Sequence, residues 1–317
     1  MRNKPSPLLV AGIVILVSGC SAVGIGESEP GLGPISTPGL DPAAITTPLD
    51  GYMPTPEENY ALKRARVTLV NQCMRDLGYP DNPQPLGRFT GERLLAHSGF
   101  QLLPVSHVEQ FGYAPLPSPS SGETSEKEYG AAVSEQQGAL LTGKVSDFHG
   151  KKVPAGGCEG EAVRVITKGA RTDQKMSMPD GTKVEAGADG FAEGYAEMVI
   201  SAARGEIMSN VHNDSRYKDA VSSWSVCMDK QGFDYKAPLD AWEDKRWQDG
   251  GTPSKAEIST ATADMRCKEK INFAGVGTAV QSAYEAKYIE ENAEALADLK
   301  SKTAQWIKNA NDAVRAD

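Results

Sequence analysis

The five cysteines are the residues whose type and spacing could do chemistry in this 317-residue chain. Cys20 follows an apolar run from Leu8 to Val17, and Arg2 and Lys4 precede that run. A positive start, a short apolar run and small residues before a cysteine are typical of an export signal that ends at a lipid-modified thiol. The run is too short to span a bilayer as a helix. We therefore expect cleavage before Cys20 and acylation of the new N-terminus, palmitate included.

Two or more acyl chains hold a protein stably on a membrane, whereas one chain does so only marginally. The sequence thus predicts a lipid-anchored protein on the extracytoplasmic face of the cell membrane, with the bilayer as its first partner. Residues 1–19 form the signal peptide in this interpretation. Residues 20–56 are rich in Pro, Gly, Ser and Thr and are predicted to form a flexible tether. Residues 57–317 form the extracytoplasmic domain.

An internal repeat indicates how this domain is built. The stretch from Val67 to Tyr79 aligns without gaps on the stretch from Val221 to Phe233, and both contain Cys-Met followed by a Gly and an aromatic residue. Apolar residues recur at helical spacing, and the Gly suits a left-handed helix C-terminus. The sequence predicts a mainly α fold made of two pseudo-repeated helical halves, at about 57–170 and 190–317.

The four remaining cysteines are Cys73, Cys158, Cys227 and Cys267, an even number in a compartment that permits oxidation. Four cysteines allow three connectivities. One bridge in each half would join Cys73 to Cys158 and Cys227 to Cys267, and this is the pairing we predict. The glycines before Cys158 would let the backbone approach its neighbour closely. No paired Cys or His spacing typical of zinc is present, so we expect no metal and no cofactor.

The search for catalytic residues predicts none, and hence no enzyme. Ser215 and Lys218 match the SxxK spacing, but the other elements of that motif are absent. The four histidines are scattered at spacings that make no metal pair, and no GxSxG or HExxH occurs.

Three aromatic residues between the cysteines of the second half could instead bind a ligand. Tyr235, Trp242 and Trp247 lie near Asp240 and Glu243 in the sequence. Aromatic rings beside carboxylates can stack on a sugar or hold a cation. The alternative is that the rings pack over the disulfide. A cell-wall hydrolase would need two of these carboxylates in one cleft.

The C-terminal part is predicted to form a long helical hairpin. Ser254 begins a first helix with a capping box, and a turn is expected over 272–277. Apolar residues then recur every three or four positions up to Val314. A continuous helix from Thr278 would be about 55 Å long. We favour packing of this helix on its own domain over a partner-binding arm.

The motifs CMxxxG-aromatic at Cys73 and Cys227, the stretch 156–162 and the stretch 263–267 together resemble secreted lipoproteins of high-GC Gram-positive bacteria. The resemblance covers most of the chain from 57 to 299. It implies anchoring of Cys20 on the outer leaflet of the plasma membrane, and it implies no catalytic residue because that family carries none that could be transferred.

The formal net charge of −9 disfavours nucleic acid as a partner, because no basic surface is indicated. These features together predict a non-enzymatic binding or accessory protein of the cell envelope. A transporter or sensor subunit or a cell-wall component would be its partner. The alternative is the wall-directed hydrolase with carboxylates near Trp242 and Trp247.

Overall fold

The computed structural model describes residues 29–79, 100–116, 134–172, 175–177, 183–185, 194–247 and 251–315. This part of the chain is mainly helical, as predicted. Its ten α-helices are α1 Pro56–Leu77, α2 Val105–Phe111, α3 Glu135–Thr142, α4 Gly157–Ile166, α5 Tyr195–Asn213, α6 Ser215–Lys230, α7 Pro238–Trp242, α8 Lys255–Lys270, α9 Phe273–Glu291 and α10 Ala293–Arg315.

Short antiparallel hairpins and 3₁₀ turns complete the described structure. Strands β1 Asp147–Phe148 and β2 Lys151–Lys152 pair with each other, as do β3 Lys175–Ser177 and β4 Lys183–Glu185. The 3₁₀ turns are Pro42–Ala44, Pro48–Tyr52 and Lys245–Trp247. None of the helices in the described ranges is both long enough and apolar enough to cross a membrane.

The two sequence halves interlock. Helix α1 packs on α4 and α10, and residues of all three helices form a small apolar core. Trp306 of α10 is 1 % exposed, and its Nε1 donates to the Ala170 carbonyl at 2.7 Å. Conversely, α2 of the first half packs on α8 of the second. Each half therefore buries apolar surface that the other half would leave in water.

The repeated helix ends are confirmed. The chain after α1 turns at Gly78, with φ 90°, and the chain after α6 turns at Gly232, with φ 87°. In both copies, the N–H of the following aromatic residue donates to the carbonyl of the repeat Met, at 2.9 Å and 3.0 Å. The repeat in the sequence thus encodes the same left-handed cap twice.

These two glycines allow a prediction about stability. Gly78→Ala and Gly232→Ala should each lower the free energy of unfolding by about 1–2 kcal/mol, because a Cβ is strained at positive φ. No atom lies within 4 Å of either added Cβ, so the strain is purely conformational. Gly205→Ala is the matched control: it lies within α5, its added Cβ also meets nothing, and it should stabilise the protein by about 0.5–1 kcal/mol. Urea denaturation measures all three. If Gly205→Ala lowered the free energy of unfolding as much as Gly78→Ala and Gly232→Ala do, strain at positive φ would not explain the effect.

Both predicted disulfides are present. Cys73 is bonded to Cys158 and Cys227 to Cys267, with Cα–Cα distances of 5.6 and 5.7 Å. The cysteines that bond to the two repeat cysteines occupy different places in their helices. Cys158 lies in the first turn of α4, whereas Cys267 lies near the end of α8. Gly157, just before Cys158, has φ +70° and faces the backbone of α3 so closely that a Cβ would clash with the Leu141 carbonyl oxygen. The predicted close approach is therefore real.

The C-terminal helical stretch is confirmed, but its internal boundaries differ from the prediction. Helix α9 begins at Phe273, so Gly275 and Gly277 lie inside a helix and not in a turn. A Cβ on Gly277 would lie 2.6 Å from the Phe100 ring, so this glycine serves close packing. The expected continuous helix from Thr278 is interrupted at Asn292, between α9 and α10. As favoured, α10 packs on its own domain.

The predicted tether differs most from the structure. Residues 20–28 lie outside the described residues, but the chain from 29 onward packs on the helices. Leu40, Ile45 and Leu49 are all under 9 % exposed in the largest core. Pro42 and Pro48 do not extend the chain but begin 3₁₀ turns, where a missing N–H costs nothing. Burial of these three apolar residues stabilises a folded conformation of the segment despite its many Pro and Gly residues.

A buried ion pair fixes this segment. Arg204 Nε donates to Glu285 Oε1 at 3.1 Å, and a terminal nitrogen of its guanidinium donates to Asp50 at 2.7 Å. The second carboxylate oxygen of Glu285 accepts the backbone N–H of Leu49 at 2.8 Å. The segment before α1 is thus part of the folded body.

Candidate functional site

The candidate lipidation site, Cys20, lies outside the described residues. Its nearest described neighbour in the chain is Glu29, nine residues later. The Glu29 carboxylate accepts the backbone N–H of Ser215 at 2.6 Å and the Ser215 hydroxyl at 2.7 Å. The N-terminal end of the described chain is therefore fixed at the start of α6.

The same contacts show how the serine of the SxxK spacing, Ser215, is bonded. Ser215 donates its hydroxyl proton to Glu29, and neither a hydrogen bond nor an ion pair joins it to Lys218 in the described part of the chain. Arg216, next in sequence, is bonded to the buried Asp214 and holds the pKa of that carboxyl below its usual range. Ser215 is the first residue of α6, and its hydroxyl is bonded to Glu29 and not to Lys218.

Two of the predicted ligand-binding aromatics, Trp242 and Trp247, pack on the core. Their ring centroids lie 5.2 and 5.7 Å from that of Tyr113, and Trp247 Nε1 donates to the Ala241 carbonyl at 3.2 Å. Both rings thus pack against Tyr113 in the largest core. They hold the connection between α6 and α8 against Tyr113, which follows α2.

The third aromatic, Tyr235, has its hydroxyl fully used. It donates to Asp244 at 2.8 Å and accepts from the Arg246 guanidinium at 2.6 Å. That guanidinium holds the pKa of Asp244 well below its usual range and lies 4.8 Å from the Trp247 ring centroid. The polar groups of this cluster satisfy one another.

The two carboxylates proposed for a hydrolase lie at the start and the end of α7. Asp240 accepts the backbone N–H of Ala237 at 2.9 Å and thereby caps α7. Glu243 is exposed at the end of the same helix. The described residues contain no group of three His, Cys, Asp or Glu that could hold a metal ion.

The sequence analysis missed a cavity of about 500 Å³ between α5, α6 and α7. This volume lies in the range of small-molecule sites. Most of its wall is apolar and comes from four side chains, Met208, Val221, Pro238 and Leu239. Leu239 is 45 % exposed at its rim. Three helices and Gln101, about 100 positions before them, form this wall, so no single motif signals it.

Polar residues complete the wall: Gln101, His212, Tyr217 and Lys218. The side chains of His212, Tyr217 and Lys218 have no hydrogen bond or ion pair within the described ranges. The Tyr217 ring lies near the rings of His212, Phe273 and Phe100, with centroid distances of 5.5, 5.6 and 6.4 Å. Tyr217 is 8 % exposed, and burial raises its pKa to about 12, so its hydroxyl is a donor at neutral pH. Burial lowers the pKa of His212, which favours the neutral ring.

A buried polar cluster centres on Asp264 and Lys268 of α8. Asp264 accepts from Trp224 Nε1 at 2.8 Å, from the Tyr113 hydroxyl at 3.2 Å and from Lys268 Nζ at 3.2 Å. Lys268 also donates to the Gln101 carbonyl at 2.8 Å. Both charged side chains are fully buried, and every polar contact lies inside the protein. This arrangement joins α6 and α8 to the chain on either side of α2 through polar contacts inside the core.

A scan against family models, a search of curated proteins and a search of solved structures each found no match to this chain. The described geometry, with its cavity and two disulfides, therefore carries the functional argument alone.

Proposed function

We propose that this chain is a lipoprotein anchored through acylated Cys20 on the extracytoplasmic face of the cell membrane, where its helical body acts as a binding or accessory protein. The cysteine pattern carries this proposal. One cysteine follows an export-signal pattern, and the other four are paired in two disulfides. Disulfides persist outside the reducing cytosol, so the folded body and the signal point to the same compartment.

A binding role is supported better than catalysis. The serine of the SxxK spacing is held by Glu29, and Asp240 caps a helix. The cavity between α5, α6 and α7 contains no carboxylate among its lining residues. Its apolar wall and unpaired polar groups are instead typical of a ligand site. A transporter or sensor subunit, or a wall component, is the partner class that an anchored body of this kind would serve.

Replacing Cys20 tests the anchor. Cys20→Ala should abolish incorporation of an alkyne-labelled fatty acid and move the protein from the membrane fraction into the medium, or leave it unprocessed. The physical reason is that the thiol is the only nucleophile at that position that can take the diacylglycerol group, and one signal helix is too short to hold the chain.

Ser21→Ala is the matched control, because it changes the neighbouring residue and keeps the thiol. It should label and fractionate like the native protein. Retention of label and membrane association by Cys20→Ala would overturn the proposed anchoring.

A further inference from the structure

The cavity between α5, α6 and α7 combines apolar walls with one cationic group. Lys218 is the only charged side chain among its lining residues. Its ammonium has no ion pair in the described part of the chain and is exposed at the cavity. An acidic protein that leaves a lysine unpaired beside an apolar cavity has a position where an anionic group is favoured.

Tyr217 adds a second, independent indication. Its side chain is more than nine-tenths buried and lines the cavity, yet its hydroxyl has no hydrogen-bond partner among the described residues. The hydroxyl oxygen itself is not among the buried side-chain atoms that lack a partner, so it is accessible from the cavity although the ring is buried. It can therefore donate to an acceptor oxygen on a ligand. The neighbouring neutral His212 offers one further donor or acceptor without adding charge.

The apolar part of the cavity wall indicates the chemical nature of the rest of the ligand. Met208, Val221, Pro238 and Leu239 provide no hydrogen-bonding side chain, so this region favours a hydrocarbon body. Methionine is flexible and adapts to irregular apolar ligands. We propose that this cavity binds a single-chain fatty carboxylate, with the carboxylate at Lys218 and Tyr217 and the alkyl chain against these four residues.

The anchor would place the cavity near a source of such a ligand, a point that rests on the proposed function. Glu29 is bonded to the first residue of α6, and Lys218 is one turn further along that helix. Eight residues lie between Cys20 and Glu29, and the nine Cα-to-Cα steps between them reach at most about 30 Å. An acylated Cys20 would therefore keep the cavity within a short distance of the bilayer, from which fatty acids partition.

Titration calorimetry with three probes of equal chain length tests the proposal: decanoate, decanol and decyltrimethylammonium. The protein is the full chain carrying Cys20→Ala, purified with its disulfides intact, so that its own acyl chains cannot enter the cavity. Decanoate should bind saturably and at least tenfold more tightly than decyltrimethylammonium. Because no membrane is present, failure here leaves the anchoring result unaffected.

Lys218→Gln should weaken decanoate binding about tenfold and leave decanol binding unchanged within about twofold; that factor corresponds to about 1.4 kcal/mol. Tyr217→Phe, which keeps the ring, should weaken both decanoate and decanol. Lys230→Gln is the matched control, an exposed lysine on the same helix that does not line the cavity. Absence of saturable decanoate binding, equal binding of the cationic probe, or equal behaviour of Lys218→Gln and Lys230→Gln would each overturn the proposal.

Discussion

Asp264→Asn is expected to lower the free energy of unfolding by about 3–5 kcal/mol at pH 7, the usual cost of leaving a buried charge without its partner. Asn keeps the volume of Asp264 and an acceptor for the indole N–H of Trp224, but it removes the negative charge 3.2 Å from Lys268 Nζ. Both side chains of the pair are 0 % exposed. The Lys268 ammonium would retain only the Gln101 carbonyl as its acceptor.

The reverse variant, Lys268→Met, removes the other charge, and the two variants should differ in the sign of their pH dependence. Burial lowers the pKa of Lys268 below its ordinary value of about 10.4. In Asp264→Asn the folded state then binds fewer protons than the unfolded chain between those two pKa values. The free energy of unfolding of this variant should therefore rise with pH toward about 10.4.

Burial raises the pKa of Asp264 above its ordinary value of about 3.9. In Lys268→Met the folded state thus binds a proton more tightly than the unfolded chain, and the free energy of unfolding should fall as pH rises from about 4 through the folded-state pKa. Urea denaturation of both variants and the native protein at pH 5, 7 and 9 measures the two slopes.

Lys308 and Asp312 supply the matched control on α10. They form an ion pair with the same i,i+4 spacing at 3.1 Å, but their side chains are 69 % and 56 % exposed. Lys308→Met and Asp312→Asn should leave the protein near native stability, because water screens exposed pairs. Two results would contradict a charged Asp264–Lys268 pair in the core. One is a free energy of unfolding of Asp264→Asn at pH 7 equal to that of the native protein. The other is a pH dependence of the same sign for Asp264→Asn and Lys268→Met.

The helical repeat could be predicted because its signal is local. Glycine, an aromatic residue and apolar spacing within one stretch determine a cap, and the cap then places each cysteine on a helix end. The disulfide pairing followed from assigning one bridge to each copy. The sequence analysis could not show that Cys158 begins a helix whereas Cys267 ends one, because the repeat does not extend to the partner cysteines.

The segment before α1 and the cavity could not be predicted for a different reason. Leu40 and Leu49 are single apolar residues in a Pro-rich stretch, and their burial depends on α9, more than 200 positions later in the chain. The cavity likewise needs α5, α6 and α7 at once. Asp264 and Lys268 have the spacing of an ordinary surface ion pair, and the packing of α2 and α6 against α8 buries them. In all three cases the feature depends on packing between separate elements, which leaves no periodic signal in the sequence.

Removing either disulfide is the second large effect we expect, and the two should differ in which part of the molecule they loosen. The sequence separations are 85 residues for Cys73–Cys158 and 40 for Cys227–Cys267. In the loop-entropy model, closing such loops stabilises the folded state by about 4–5 kcal/mol and about 4 kcal/mol. Cys73→Ala/Cys158→Ala and Cys227→Ala/Cys267→Ala should lower the free energy of unfolding by about those amounts in urea denaturation.

The location of the effect follows from the cores that the bridges join. Cys158 belongs to a small cluster of eight buried residues on α1, α3 and α4 and the chain before α4, whereas Cys267 lies in the largest core. A small cluster has little apolar burial to replace a lost cross-link. In hydrogen exchange, the first double variant should therefore lose protection in α3 and α4 while α5, α6 and α9 stay protected. The second should lower protection across α6 and α8 together with the rest of that core. Losses below about 1 kcal/mol for both variants, or identical exchange patterns, would contradict this division of the fold.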